Sequence, residues 1–180
     1  MTVPKSWSGD VPNDQEDSVI GRIIGPNLTL SFDFSDMGYA NHLIYSEEEY
    51  IKRGQWYNGQ LIYADSAISY SDATKTILPP TSLKSYKFSK ADYIAKLTYK
   101  KKTIYLPVTI PDEIKNQNID TDTTEKYIIK TIWPKIPGKG MTGIYIQSKT
   151  SSLNLQINGQ DLPKSQQDKA LEAFKTIKIK

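Results

Sequence analysis

The chain contains no cysteine, one histidine, and only two arginines among its 23 cationic side chains. Without cysteine there are no disulfides, thiolate metal sites, iron–sulfur clusters or cysteine nucleophiles. A lone histidine, His42, rules out a multi-histidine metal centre. Catalysis by His42 would need an acid partner and a nucleophile from elsewhere in the chain. Arginine is the side chain best suited to bidentate phosphate recognition, so its near absence argues against a nucleic-acid partner. No apolar run approaches the roughly 18 residues of a membrane-spanning helix, and no leader-like pattern precedes Val3-Pro4-Lys5.

The net charge of +3 is unevenly distributed. Residues 1–90 carry 8 basic and 11 acidic side chains, and residues 91–180 carry 15 and 9. The excess is lysine, which reads as a hydrated surface. At 180 residues the chain is long enough to form a core without covalent staples. It is read as a single domain, 1–180, in which residues 61–90, rich in Ser, Thr and Asp and carrying Pro79-Pro80, form an irregular segment that is either functional or mobile.

Strict alternation dominates the rest. Leu28, Leu30, Phe32 and Phe34 share one face of "NLTLSFDFS". Ile104, Leu106, Val108 and Ile110 do the same in "KTIYLPVTI", as do Leu153, Leu155 and Ile157 in "SLNLQING". Period two marks strands with one dry face and one wet face. Pro107 cannot donate to a ladder, so its strand belongs at a sheet edge or carries a bulge. Weaker strand patterns cover 18–24, 92–99, 126–133 and 143–147, with tight connections at Gly25-Pro26-Asn27 and at Lys100-Lys101-Lys102.

Two helices are expected. Ser46-x-x-Glu49 is a capping box with Tyr45 and Tyr50 placed as its staple, opening a helix near 46–57. Pro163 begins a C-terminal helix near 162–175, with Ala170, Leu171, Phe174 and Ile177 as its apolar stripe. A short helical turn should follow Pro111. The expected class is α+β: a single twisted, mainly antiparallel sheet packed against these two helices.

Gly138-x-Gly140-x-x-Gly143 spells a dinucleotide fingerprint, but "IYIQSKTSSLNLQI" follows it where a helix is required. The glycines therefore read as a hairpin turn, and no cofactor is expected. Asp120, Asp122 and Glu125 in "NIDTDTTEKY" are weak calcium candidates, since that polar loop lacks the glycine that calcium loops use. Asp33 and Asp36 with the glutamates at 47–49 could form a carboxylate pair only if the fold brings them together.

Twelve tyrosines against four phenylalanines are the compositional oddity. Tyr39, Tyr45, Tyr50, Trp56, Tyr57 and Tyr63 gather around the first helix. Such residues suit a protein or glycan interface, and they are the candidate binding residues.

Asp17-Ser18-Val19-Ile20-Gly21-Arg22-Ile23, then Leu30-Ser31-Phe32-Asp33-Phe34, the turn "GKGMTGIY" and the ending "DLPKSQQDKALEAFKTIKIK" together resemble uncharacterised small bacterial envelope proteins of lipoprotein type. Pro4-x-x-Trp7 and a sheet finished by a helix and a short "TIKIK" strand also resemble the PsbP-like fold. The resemblance implies the bacterial cell envelope, periplasmic or surface-exposed, with the leader removed; the aromatic cluster and the lack of a convincing catalytic constellation make a non-enzymatic binding or structural protein the leading reading. The resemblance brings no catalytic residues. An immunity or inhibitor protein that binds a toxin or enzyme is the alternative. A carboxylate-dependent hydrolase helped by His42 is the second, and a cytoplasmic location the other setting.

Overall fold

The structure is a computed structural model that describes all residues except 13–16, 37–43, 55–61, 64–65, 68–72, 83–87, 89 and 180. In chain order the strands are β1 (Ser8–Asp10), β2 (Val19–Gly25), β3 (Leu28–Ser35), β4 (Ile62–Tyr63), β5 (Ser66–Ala67) and β6 (Thr74–Leu78). They continue with β7 (Tyr93–Tyr99), β8 (Lys102–Val108), β9 (Gln117–Thr123), β10 (Tyr127–Pro134), β11 (Met141–Ser148) and β12 (Asn154–Gln160). The helices are α1 (Glu47–Arg53), α2 (Asp112–Lys115) and α3 (Lys164–Phe174).

The α+β class and the antiparallel pairing are as expected. The strands, however, divide into a seven-stranded, a three-stranded and a two-stranded sheet, where a single sheet was expected. The chain separates into two compact units, Met1–Ile44 with Asn116–Lys180, and Tyr45–Lys115. The reason is local pairing: β6, β7 and β8 close their ladders with one another through short hairpins inside one contiguous segment.

The first unit is built on the seven-stranded sheet, in the order β1-β2-β3-β12-β11-β10-β9. β12 lies between β3 and β11, joining the N-terminal hairpins to the C-terminal meander. Pro26-Asn27 makes the tight β2–β3 turn, with Asn27 at φ 57°. One sheet face packs on α3 around Leu28, Leu30, Ile144, Ile146, Ile157, Ala170, Ala173 and Phe174, with Trp7 and Leu162 closing the end. Leu30 is fully buried while Phe34, four positions on, is 42% exposed. α3 has 11 residues, about 16 Å at 1.5 Å per residue. It is too short to cover the whole face.

The second unit holds α1, α2 and the β6-β7-β8 sheet. Its capping box is formed as the sequence predicts: Glu49 N donates to Ser46 Oγ at 3.1 Å and Ser46 N to Glu49 Oε2 at 3.0 Å. α1 ends at Arg53 because Gly54 turns left-handed at φ 68°. Pro107 lies on β8, which is an edge of its sheet. Within the stretch read as irregular, Thr74–Leu78 is a regular strand and Pro80–Ser82 a 3₁₀ turn.

Candidate functional site

The C-terminal meander shapes a groove in the first unit. Thr124 and Tyr127 close the β9–β10 hairpin: Thr124 N donates to Tyr127 O at 2.9 Å and Tyr127 N to Thr124 Oγ1 at 3.0 Å. The register then sets Asp122 opposite Ile129 and Ile129 opposite Ile146. One row along, Asp120 faces Thr131 and Thr131 faces Ile144. Because side chains alternate between faces, these residues share the face on which α3 packs. Leu171, Phe174 and Lys175 supply the opposite wall, and Ile177 and Ile179 extend it beyond the helix end. The result is a groove of about 480 Å³, with Trp133 in its lining. That volume lies within the usual range for ligand sites.

Among the described residues its lining is mostly apolar and carries the charges of Asp120, Asp122 and Lys175, all exposed. None of the three forms an ion pair among the described residues. The groove can therefore bury an apolar body and still present carboxylates to a cationic group.

The calcium candidates take a different form from the loop read in the sequence. Asp120 and Asp122 lie on strand β9, and Glu125 sits in the turn after it. β9 was missed because its only apolar residue is Ile119; its order comes from the ladder with β10. Among the described residues no group of three histidine or acidic side chains converges as a metal site.

Of the aromatic candidates, Tyr39, Trp56 and Tyr57 lie outside the described residues, as does His42, and Tyr63 is described only as backbone of β4. Tyr50 is buried, and burial pushes its phenol above the ordinary value. The Tyr45 ring lies under the Arg53 guanidinium, 4.6 Å from its centroid. The Gly138 segment is a turn: Gly138 and Gly140 take φ values of 80° and 124°, and strand β11 follows. Asp161 holds it by accepting from Gly140 N at 2.7 Å.

In the second unit, Asp92 accepts from Ile110 N and from Lys115 Nζ, each at 2.8 Å. An open depression beside it is lined by Glu47, Ala91, Asp92, Tyr93 and Lys115. Asp92 is thus committed to fastening backbone and helix. Elsewhere Lys130 is buried and donates to Ile44 O at 3.1 Å, a structural tie.

The groove residues left a partial trace in the sequence. Leu171 and Ile177 were on the predicted stripe, while Ile129 and Trp133 belonged to one of the weaker strand patterns. No family model, no curated protein and no solved structure matches the chain.

Proposed function

We propose that this is a non-enzymatic binding protein of the bacterial cell envelope, and that the groove between α3 and strands β9 to β11 is its ligand site. One observation carries the reading: a cavity of ligand size with an apolar lining and two exposed carboxylates that form no ion pair among the described residues. The envelope setting comes from the resemblance of the sequence alone.

Trp133 is a built-in reporter. Titration with an uncharged apolar probe such as a long-chain alcohol should shift tryptophan emission saturably, and Trp133→Phe should remove that response. Leu171→Arg, at a half-buried wall position, should weaken binding tenfold or more without loss of circular dichroism. A response that persists in Trp133→Phe, or one that never saturates, refutes the assignment.

A further inference from the structure

Strand β9 is an edge of the seven-stranded sheet, and the hydrogen bonds at its two ends set the phase of its backbone. Thr124 pairs with Tyr127 at one end. At the other, Lys135 N donates to Asn116 O at 2.8 Å. In an antiparallel ladder the hydrogen-bonded pairs alternate, so the even-numbered residues of β9 exchange bonds with β10. The odd-numbered Ile119, Thr121 and Thr123 turn N–H and C=O toward the outer edge. Among the described residues none of these backbone groups has a partner there. The ladder to β10 runs through seven consecutive pairs without a bulge, and β9 contains no proline; the charges that guard this edge are Asp120 and Asp122, which repel an acidic strand and admit a basic one.

From this geometry we infer that β9 takes up an extended peptide as an eighth strand, one with basic residues at alternate positions. This rests on the groove being the binding site, and it names the partner. Relative to an incoming antiparallel strand, Asp120 and Asp122 occupy non-hydrogen-bonded positions, where facing side chains approach most closely. Lysines or arginines opposite them would meet both carboxylates, and their aliphatic stems would extend the apolar wall made by Ile129 and Ile146. The intervening residues would lie on the other face beside Ile119, Thr121 and Thr123, where β-branched side chains fit best. Strand addition takes its affinity from the backbone ladder and its selectivity from alternate side chains.

The test uses the full chain and a capped heptapeptide alternating lysine with valine, against the same peptide with glutamate for lysine. The lysine peptide should bind about tenfold tighter, the sum of two favourable cross-strand pairs. Asp120→Lys with Asp122→Lys should reverse the preference; both positions are exposed, so the fold should tolerate the change. At saturation, amide exchange at Ile119, Thr121 and Thr123 should slow at least tenfold. N-methylation of the valine amides, which would face those residues, should abolish binding, whereas methylation of the lysine amides should not. Absence of binding, binding without slowed exchange at these amides, or equal effects of the two methylation patterns would overturn strand addition. The groove reading is judged separately by the Trp133 response to the uncharged probe, so a failure of strand addition is distinguishable from a failure of the groove itself.

Discussion

Replacing Asp92 with alanine should destabilise the second unit by about 2–3 kcal/mol, the larger part being one stranded backbone amide. The carboxylate receives Ile110 N and Lys115 Nζ at 2.8 Å each, and so ties the chain beyond β8 to the last residue of α2. Ile110 is 1% exposed, so its N–H loses its protein partner when the acceptor is removed. An unsatisfied buried donor costs about 1–3 kcal/mol. The ion pair adds less, about 0.5–1 kcal/mol, because its side chains remain 29% and 31% exposed. Asp92→Asn keeps an acceptor for Ile110 and loses only the charge, so it should cost about 1 kcal/mol, close to Lys115→Met. Urea unfolding, with amide exchange in β7 and β8 to localise the change, measures all three. Equal damage from Asn and Ala would show that the charge matters rather than the amide, contrary to this reasoning. The pH dependence follows from the same pair. Burial alone would raise the Asp92 pKa, but Lys115 and the Ile110 N–H together outweigh it and hold the group below its ordinary value. Its contribution is therefore present above the unfolded-state pKa and is lost as pH falls through the lower folded one. Lys115 is raised chiefly by its hydrogen bond to Asp92, so its share is complete below the unfolded-state lysine pKa and disappears as pH climbs through the raised folded one. Asp92→Asn should flatten the acid limb; an unchanged acid limb would refute the assignment.

Ser46→Ala removes the α1 cap and should cost about 1 kcal/mol in thermal or urea unfolding. Leu30→Ala should cost about 2–5 kcal/mol because the site is fully buried. Phe34→Ala, on the same strand face but 42% exposed, should cost markedly less, and similar losses would contradict the partial cover provided by α3. Gly25→Ala places a methyl 2.6 Å from Trp7 Nε1. It should displace the ring, red-shift its emission and destabilise by about 1–3 kcal/mol.

Elements whose residues declare their own environment were legible in the sequence. β3, β8 and β12 alternate because each has one buried face, and Ser46 with Glu49 announces α1 because the cap is made within four residues. Pro107 pointed to an edge strand because a missing N–H is tolerable only where no ladder bond is needed. The division into two units was not legible, since the strand pattern of 92–99 or 102–108 does not say which ladder it will join. The groove was hidden for a similar reason: it is a mismatch between an 11-residue helix and the breadth of the sheet beneath it. No residue in the sequence encodes that mismatch.

Asp120 and Asp122 show how backbone geometry changes what the same charges mean. As members of a polar loop they would be free to fold around a cation, and a calcium reading would turn on whether six or more oxygens could gather there. On β9 they are two residues apart along an extended chain, a rise of about 6.8 Å on one face, with the third carboxylate, Glu125, in the turn beyond the strand. Strand geometry thus holds the pair at the repeat of alternate side chains in another strand. The lone Ile119 that hid β9 in the sequence follows from the same position: an edge strand needs little apolar content to be ordered, because its ladder to β10 orders it. Its remaining backbone groups point outward. Charge at alternate positions beside those groups favours a partner that brings both a ladder and the opposite charge. Substituting Asp120 and Asp122 should therefore change which peptide binds far more than it changes stability.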